Sequence, residues 1–366
     1  MYYLTTITAI SDFDSYLQST LFGIAPPRLG PDYPTTETKI VNQAFRYEQF
    51  PFSTTVQKFI DKCRQIYQPN MIDHYETFYI PKKSGGLREI NAPDAELMSL
   101  LKDIKTFIEQ DLKVKTHNAA FAYVAKRSIK KALEVHQQWH SEWFLKLDIK
   151  DFFTNCKKDW IVTQLQKLTD FAKWDSTEFL TEMVKVATLE TLDYGLPQGT
   201  PLSPTLTNLC FIPIDHAIQR YCAAHNLIYT RYADDILISC KLGFDWHKVE
   251  ANIAQILQEN NFEIKHEKTR YGSSAGRNWN LGLMLNKDNN ITLGHKQNQR
   301  NRAMINNFLK DFTNGTLWSI IDTQRLAGQL SYARMIQPDY TNFCIRRLES
   351  QYHCDLDSAI KYILNH

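Results

Sequence analysis

Two adjacent carboxylates, Asp234 and Asp235, lie between two short apolar runs, residues 227–232 and 236–240. Both runs have the length and the β-branched and aromatic content of strands, and so little chain separates them that only a tight turn fits. Aspartate is a favoured turn residue, so the pair alone describes an ordinary hairpin as well as a site. A third acid narrows the choice. Asp148 ends another apolar run, Phe144-Leu145-Lys146-Leu147-Asp148-Ile149. Carboxylates at the ends of core strands are costly unless they are paired or bind cations. Acids that converge from such strands make a site for hard divalent ions. Two such ions, roughly 3.5–4 Å apart, can clamp the attacking and leaving oxygens of an in-line phosphoryl displacement.

Strand and helix patterns alternate around these runs. Thr77-Phe78-Tyr79-Ile80 and Arg88-Glu89-Ile90 flank Pro81-Lys82-Lys83-Ser84-Gly85-Gly86, the pattern of two strands around a Gly-rich turn. Residues 95–112 place Leu97, Leu100, Leu101, Ile104, Phe107 and Ile108 at helical spacing, and residues 54–67 read as a short amphipathic helix. The stretch 25–34 is a loop on its Gly and Pro content. Ser203 is expected to cap a helix, with Pro204 at its first position. Met304, Ile305, Phe308, Leu309 and Phe312 form an apolar stripe, continued by Leu326, Leu330 and Ala333, so the last 70 residues are expected to be mostly helical. Residues 1–70 carry no readable role.

Three motifs carry a resemblance. Tyr232-Ala233-Asp234-Asp235 resembles the YxDD box of reverse transcriptases. Leu147-Asp148-Ile149-Lys150-Asp151-Phe152-Phe153 resembles their first metal-binding motif. Tyr194-Gly195-Leu196-Pro197-Gln198-Gly199-Thr200-Pro201-Leu202-Ser203-Pro204 resembles the LPQGxxxSP motif of bacterial members. The three stand in the family's order and spacing, and the resemblance covers about residues 75–350.

The resemblance implies an α+β right-hand polymerase. It would have fingers, a ferredoxin-like antiparallel palm with helices on one face, and a helical thumb. The corresponding divisions are an N-terminal extension at 1–70, fingers and palm at 71–295, and thumb at 296–366. It also implies RNA-directed DNA polymerase activity with two Mg²⁺ ions and deoxynucleoside triphosphate substrates. Asp148 and Asp234 would bridge the metals, Asp235 would be a less direct third acid, and Ile149 would offer a backbone carbonyl. Phe153 resembles the aromatic gate beneath the sugar, one of the pair Phe152 and Phe153 being core. Gln198 would sit beside the incoming nucleotide, and the small residues of its loop would let template and base pair approach. Arg88, with Lys82 or Lys83, would grip the triphosphate. His266-Glu267-Lys268-Thr269 resembles the fourth palm motif, with Lys268 as general acid towards pyrophosphate. Trp279-Asn280-Leu281-Gly282-Leu283 resembles the primer grip, centred on Leu281 and Gly282. Lys296, Arg300 and Arg302 would face the template–primer duplex.

The compact plan is similar to retron and phage-defence-associated reverse transcriptases. Two features depart from the retron pattern. The NAxxH element appears as Lys131-Ala132-Leu133-Glu134-Val135-His136, and of the VTG triplet only Gly282 remains, in Asn280-Leu281-Gly282. The expected partners are an RNA template, a cognate noncoding RNA, and a DNA or RNA primer, with an effector protein or a second copy left open. Untemplated or protein-primed synthesis stays open too, with Tyr2, Tyr3 and Tyr16 as priming candidates, as does a non-catalytic nucleic-acid scaffold.

Charge and cysteine usage agree with this. The chain has 42 Lys+Arg against 40 Asp+Glu, a balance of +2 that excludes attachment by bulk charge. Positive charge is local instead, concentrated in 261–310 and 111–140, as expected of phosphate contacts. Seven scattered cysteines without a CxxC pair read as reduced thiols of a cytoplasmic protein without zinc. No apolar run reaches the roughly 18 residues of a membrane helix.

Overall fold

Val56, Ile60, Cys63 and Ile66 form the buried stripe of α1 (Ser53–Ile66) in the computed structural model, which describes residues 52–67, 71–82, 85–189, 195–274 and 282–365. The priming candidates Tyr2, Tyr3 and Tyr16, with Lys83 and Leu281, lie outside the described residues. The strands β1 (Tyr75–Pro81) and β2 (Leu87–Pro93) pair antiparallel across the Gly-rich turn, with Pro81 opposite Leu87. Asp94 then starts α2 (Ala95–Thr106) by accepting a hydrogen bond of 2.8 Å from the Leu97 amide. The helix runs on into a π-helical turn at Phe107–Asp111. Phe59 of α1 meets Phe107 at 5.4 Å between ring centroids. The stripe of α1, within the expected extension over 1–70, therefore joins the largest core cluster. An amphipathic helix next to an apolar π turn buries its stripe there rather than leaving it in water.

The centre of the molecule follows the strand–helix–strand–strand–helix–strand order of ferredoxin-like folds. The helix α3 (Ile129–Gln138) leads into β3 (Trp143–Asp148). The helices α4 (Lys158–Gln166), α5 (Thr177–Ala187), α6 (Ser203–Cys210) and α7 (Ile212–Ala224) follow. The hairpin β4 (Ile228–Tyr232) and β5 (Asp235–Cys240) comes next, then α8 (Trp246–Gln258) and β6 (Arg270–Ser273). The sheet order is β4-β5-β3-β6, with every pair antiparallel. Leu145 and Leu147 of β3 and Ile236 and Ile238 of β5 turn towards the helices, in the largest cluster.

The other face is not left open, as one-sided cover would have it. Phe144 and Leu237 project from it and pack with Leu133 of α3 and with the short hairpin β7 (Met284–Leu285) and β8 (Ile291–Thr292). Apolar residues on that face demand a second layer. The cluster that forms this layer includes none of Asp148, Asp234 and Asp235.

Four helices close the chain: α9 (His295–Thr313), α10 (Ile320–Ile336), α11 (Pro338–Tyr352) and α12 (Leu356–Asn365). They bury a core of their own around Ile305, Phe308, Leu309, Leu326, Leu330 and Ile345, as the apolar stripe required. Ala333 and Ile336 of α10 join the layer on Phe144, and the Lys130 ammonium of α3 donates to the Met335 carbonyl at 3.0 Å, anchoring this thumb to the palm. All seven cysteines are free, and burial pushes the Cys63 thiol up to about 12, so it is inert. Among the described residues no helix is long and apolar enough to cross a membrane.

Candidate active site

The sheet order places β3 beside β5, and the register sets Asp148 directly opposite Asp235. Like charges in that relation destabilise a sheet. Asp234 lies in the turn between, with Ala233 in the left-handed region at φ 56° and the Asp234 carbonyl accepting from the Ile149 amide at 2.9 Å. Asp148 is 6% exposed. Burial first, then the charges of Asp235 and Asp148, hold the Asp234 carboxyl above its usual range. Burial does the same to Asp235 although Lys146 opposes it.

Three ammonium groups partly offset the three acids. Lys268 reaches Asp148 Oδ2 at 2.9 Å, Lys146 reaches Asp235 Oδ2 at 2.9 Å, and Lys265 stands 3.6 Å from Asp148 Oδ1, beyond hydrogen-bonding distance. Asp148 Oδ1 is buried without a hydrogen-bond partner. Among the described residues no three His, Cys, Asp or Glu groups close into a ready-made metal site. The donor set nevertheless fits a hard divalent cation: carboxylate oxygens, one of them orphaned, on side chains that repel one another. Lys146, inside β3, and Lys265, just before the turn that carries Lys268, were missed in the sequence.

Phe152 and Phe153, four and five residues after Asp148, differ in burial. Phe152 is the core ring, 4.8 Å from Phe211, whereas Phe153 is half-buried. The loop 195–202 docks on the same segment, the Leu196 amide donating to the Phe153 carbonyl at 3.1 Å. Its glycines serve packing within the chain. A side chain on Gly195 would collide with the carbonyls of Thr154 and Cys156, and one on Gly199, at φ 115°, would come within 2.8 Å of Ile90. Ser203 is the first helical residue rather than the cap, because the hydroxyl of Thr200 accepts from its amide at 3.1 Å. Gln198 is half-buried, and its carbonyl takes the Asn91 amide of β2 at 2.7 Å, tying the fingers hairpin to the loop. Arg88 and Lys82 are exposed on that hairpin, and Gly282 is exposed at φ 94°. On α9, Lys296 and Arg300 are one turn apart on an exposed face, whereas Arg302 lies about 160° around the helix from Arg300. The three therefore do not form one basic face.

Beneath the turn lies a network that sequence reading missed. Arg231 is fully buried and holds Asp215 of α7 through hydrogen bonds of 2.8 and 2.7 Å. It also donates to the Ala233 carbonyl at 3.1 Å and to Asn208 of α6 at 3.3 Å, and its guanidinium lies 4.9 Å from the Phe211 ring. Against burial, the guanidinium holds the Asp215 carboxyl below its usual range. A charged residue inside an otherwise apolar strand was the available signal. On the opposite face of the sheet, His136 bridges Ser239 at 2.5 Å and Thr230 at 2.8 Å, and burial lowers its imidazole to about 3. The histidine of the altered NAxxH element thus joins the two strands of the acidic hairpin.

Residues 80–299 match the family model of reverse transcriptase (RNA-dependent DNA polymerase). The chain is similar to the retron Ec83 reverse transcriptase of Escherichia coli, 26% identical over 326 residues that cover 85% of this chain and 96% of that one. It is also similar to the retron Mx65 reverse transcriptase of Myxococcus xanthus, 28% identical over 295 residues, 77% of this chain and 66% of that one. Of the solved structures, telomerase from Candida tropicalis with a telomeric RNA fragment aligns at a TM-score of 0.48 and 11% identity. That alignment covers 82% of this chain and 58% of the other, and the likeness is too slight to argue from.

Proposed function

We infer that this chain, which belongs to the reverse transcriptase family and is a retron-like RNA-directed DNA polymerase, works through Asp148, Asp234 and Asp235 as the acids of a two-metal nucleotidyl transfer. The observation that carries this is the cross-strand opposition of Asp148 and Asp235 beside Asp234, an arrangement that costs stability without cations. Two Mg²⁺ ions held by Asp148, Asp234 and Asp235 and the Ile149 carbonyl would supply the charge that the primer 3′-hydroxyl and leaving pyrophosphate need.

The chain's own residues divide the remaining work. Arg88, with Lys82 or Lys83, neutralises the triphosphate from the fingers hairpin. Phe153 crowds a ribose 2′-hydroxyl and favours deoxynucleotides, and Gln198 flanks the incoming base. Against burial, which favours the free amine, the hydrogen bond and charge of Asp148 hold Lys268 above its ordinary range. Lys268 therefore stays an ammonium, able to donate a proton to pyrophosphate. Leu281 and Gly282 hold the primer, and Lys296 and Arg300 meet duplex phosphates. Arg302, on another side of α9, is assigned to the same duplex only at its margin. The template is a cognate noncoding RNA, and the setting is anti-phage defence, as the retron-like relationship suggests.

Primer extension tests this, with purified protein, Mg²⁺, deoxynucleotides, added RNA template and any RNA that copurifies. Products from wild type but not from Asp234→Asn, matching an RNA in sequence, are expected. Products without an RNA counterpart would replace templated with untemplated synthesis. Bound RNA with no synthesis would leave a scaffold.

A further inference from the structure

Tyr123 has an exposed ring on a backbone that the fold holds in an unfavourable conformation. Its φ is 60°, in the left-handed region where a bulky residue is strained. Strain of this kind persists only where surrounding structure over-determines it, and such positions cluster at functional sites. Three clamps surround it. The Arg231 amide donates to the Ala119 carbonyl at 2.7 Å, and the Phe121 amide donates to the Arg231 carbonyl at 2.8 Å. The Asn208 side chain donates to the Ala122 carbonyl at 2.8 Å, and Arg127 donates to the carbonyls of His117 at 2.6 Å and Ala120 at 2.5 Å.

All this fixes a loop whose aromatic tip is 56% exposed. The ring meets Phe153 edge-on, at 6.4 Å between centroids and 66° between planes. Partial burial of its hydroxyl, then the charge of Asp234, raises its pKa, and the charge of Arg88 opposes this. Tyr123 therefore stands beside the ring assigned to the sugar.

We propose that Tyr123 is a specificity-determining residue of the polymerisation site, forming with Phe153 a two-ring wall against which the sugar of the incoming deoxynucleoside triphosphate packs. The proposal rests on the assignment of Phe153 above. The ring does the work: it braces Phe153 and closes the space a 2′-hydroxyl would need.

Single-nucleotide extension of oligo(dG) on poly(rC), with dGTP or GTP, tests it in the full-length protein. Tyr123→Ala is expected to raise KM for dGTP roughly tenfold, the scale of one lost packing contact, and to lower the preference for dGTP over GTP. It should leave kcat nearly unchanged. Tyr123→Phe is expected to restore both values, and Tyr362→Ala, which removes another exposed ring, to match wild type. Because the Tyr123 ring is exposed, melting temperatures should coincide; if Tyr123→Ala melts early, Tyr123→Leu keeps the bulk without the aromatic face and must show the same KM and preference changes. A wild type that extends primers while Tyr123→Ala keeps its KM and its preference overturns the proposal and leaves polymerisation standing. A wild type that extends no primer overturns both.

Discussion

Arg231 and Asp215 form a fully buried, doubly hydrogen-bonded ion pair directly under the turn that carries Asp234. Through the same guanidinium the pair reaches the carbonyl of Ala233, so the acidic turn is held from below by a cation it does not share with solvent. The arrangement separates two demands on one hairpin. Its strands must be apolar to belong to the core, and its turn must present carboxylates that repel each other.

Breaking that pair should cost far more than removing it. Asp215→Asn leaves a buried guanidinium uncompensated, and a loss of about 3–5 kcal/mol in urea unfolding is expected. The double variant Asp215→Leu, Arg231→Met should recover most of the stability yet remain poor at primer extension, because Ala233 loses its donor. A loss below about 1 kcal/mol for Asp215→Asn would contradict the burial of the pair.

Removing one acid should stabilise the metal-free protein while abolishing synthesis. Burial and the charges of Asp235 and Asp148 disfavour ionised Asp234. Asp234→Asn is therefore expected to melt about 2 °C higher than wild type in chelator, what ~1 kcal/mol gives a large domain. Mg²⁺ should raise the wild-type melting temperature and leave the variant nearly unmoved. A wild-type temperature that ignores Mg²⁺ would count against the assigned metal ligands.

His136 should make stability fall on mild acidification. Its folded value of about 3 lies below the ordinary 6.5, so the unfolded chain takes up the proton first. The contribution is complete above pH 6.5 and is lost as pH falls from there towards 3, at up to ~1.4 kcal/mol per pH unit. Urea midpoints from pH 7 to pH 5 read this loss, and NMR should find one imidazole that does not titrate over that range. If every imidazole titrates near its ordinary value, His136 is not enclosed.

Two glycines should respond to alanine in opposite directions. Gly195→Ala forces a Cβ against the carbonyls of Thr154 and Cys156 and should cost about 1–3 kcal/mol, with loss of extension activity. Gly328, in α10, has no neighbour within 4 Å of an added Cβ, and Gly328→Ala should stabilise by up to ~1 kcal/mol. Thermal unfolding of the two variants decides; equal effects would remove the close approach at Gly195.

Much of the site was legible because its signals are local. Asp148, Asp234 and Asp235 end or join apolar runs, and such runs become strands wherever they fall. Lys268 was found by its motif, and the structure adds its contact with Asp148. The stripe of α1 was readable as well, but not what it packs against, since nothing local says that Phe59 will meet Phe107. Lys146, like Arg231, was a charged residue inside an apolar strand, a signal left unread, whereas Lys265 and Tyr123 carried no local signal at all.

The amino-acid order by itself determined which segments are strands and helices, where the acids stand along them, and which family the motifs resemble. These depend on the period and composition of a few consecutive residues. Only the tertiary structure decided that β3 lies between β5 and β6, and hence that Asp148 faces Asp235. It alone decided that Arg231 finds Asp215, that α3 covers Phe144, and that the Tyr123 ring reaches Phe153. Those relations depend on which faces must be buried against each other across long stretches of chain. Strand pairing and the satisfaction of a buried charge are settled by the whole core at once, not by neighbours in sequence.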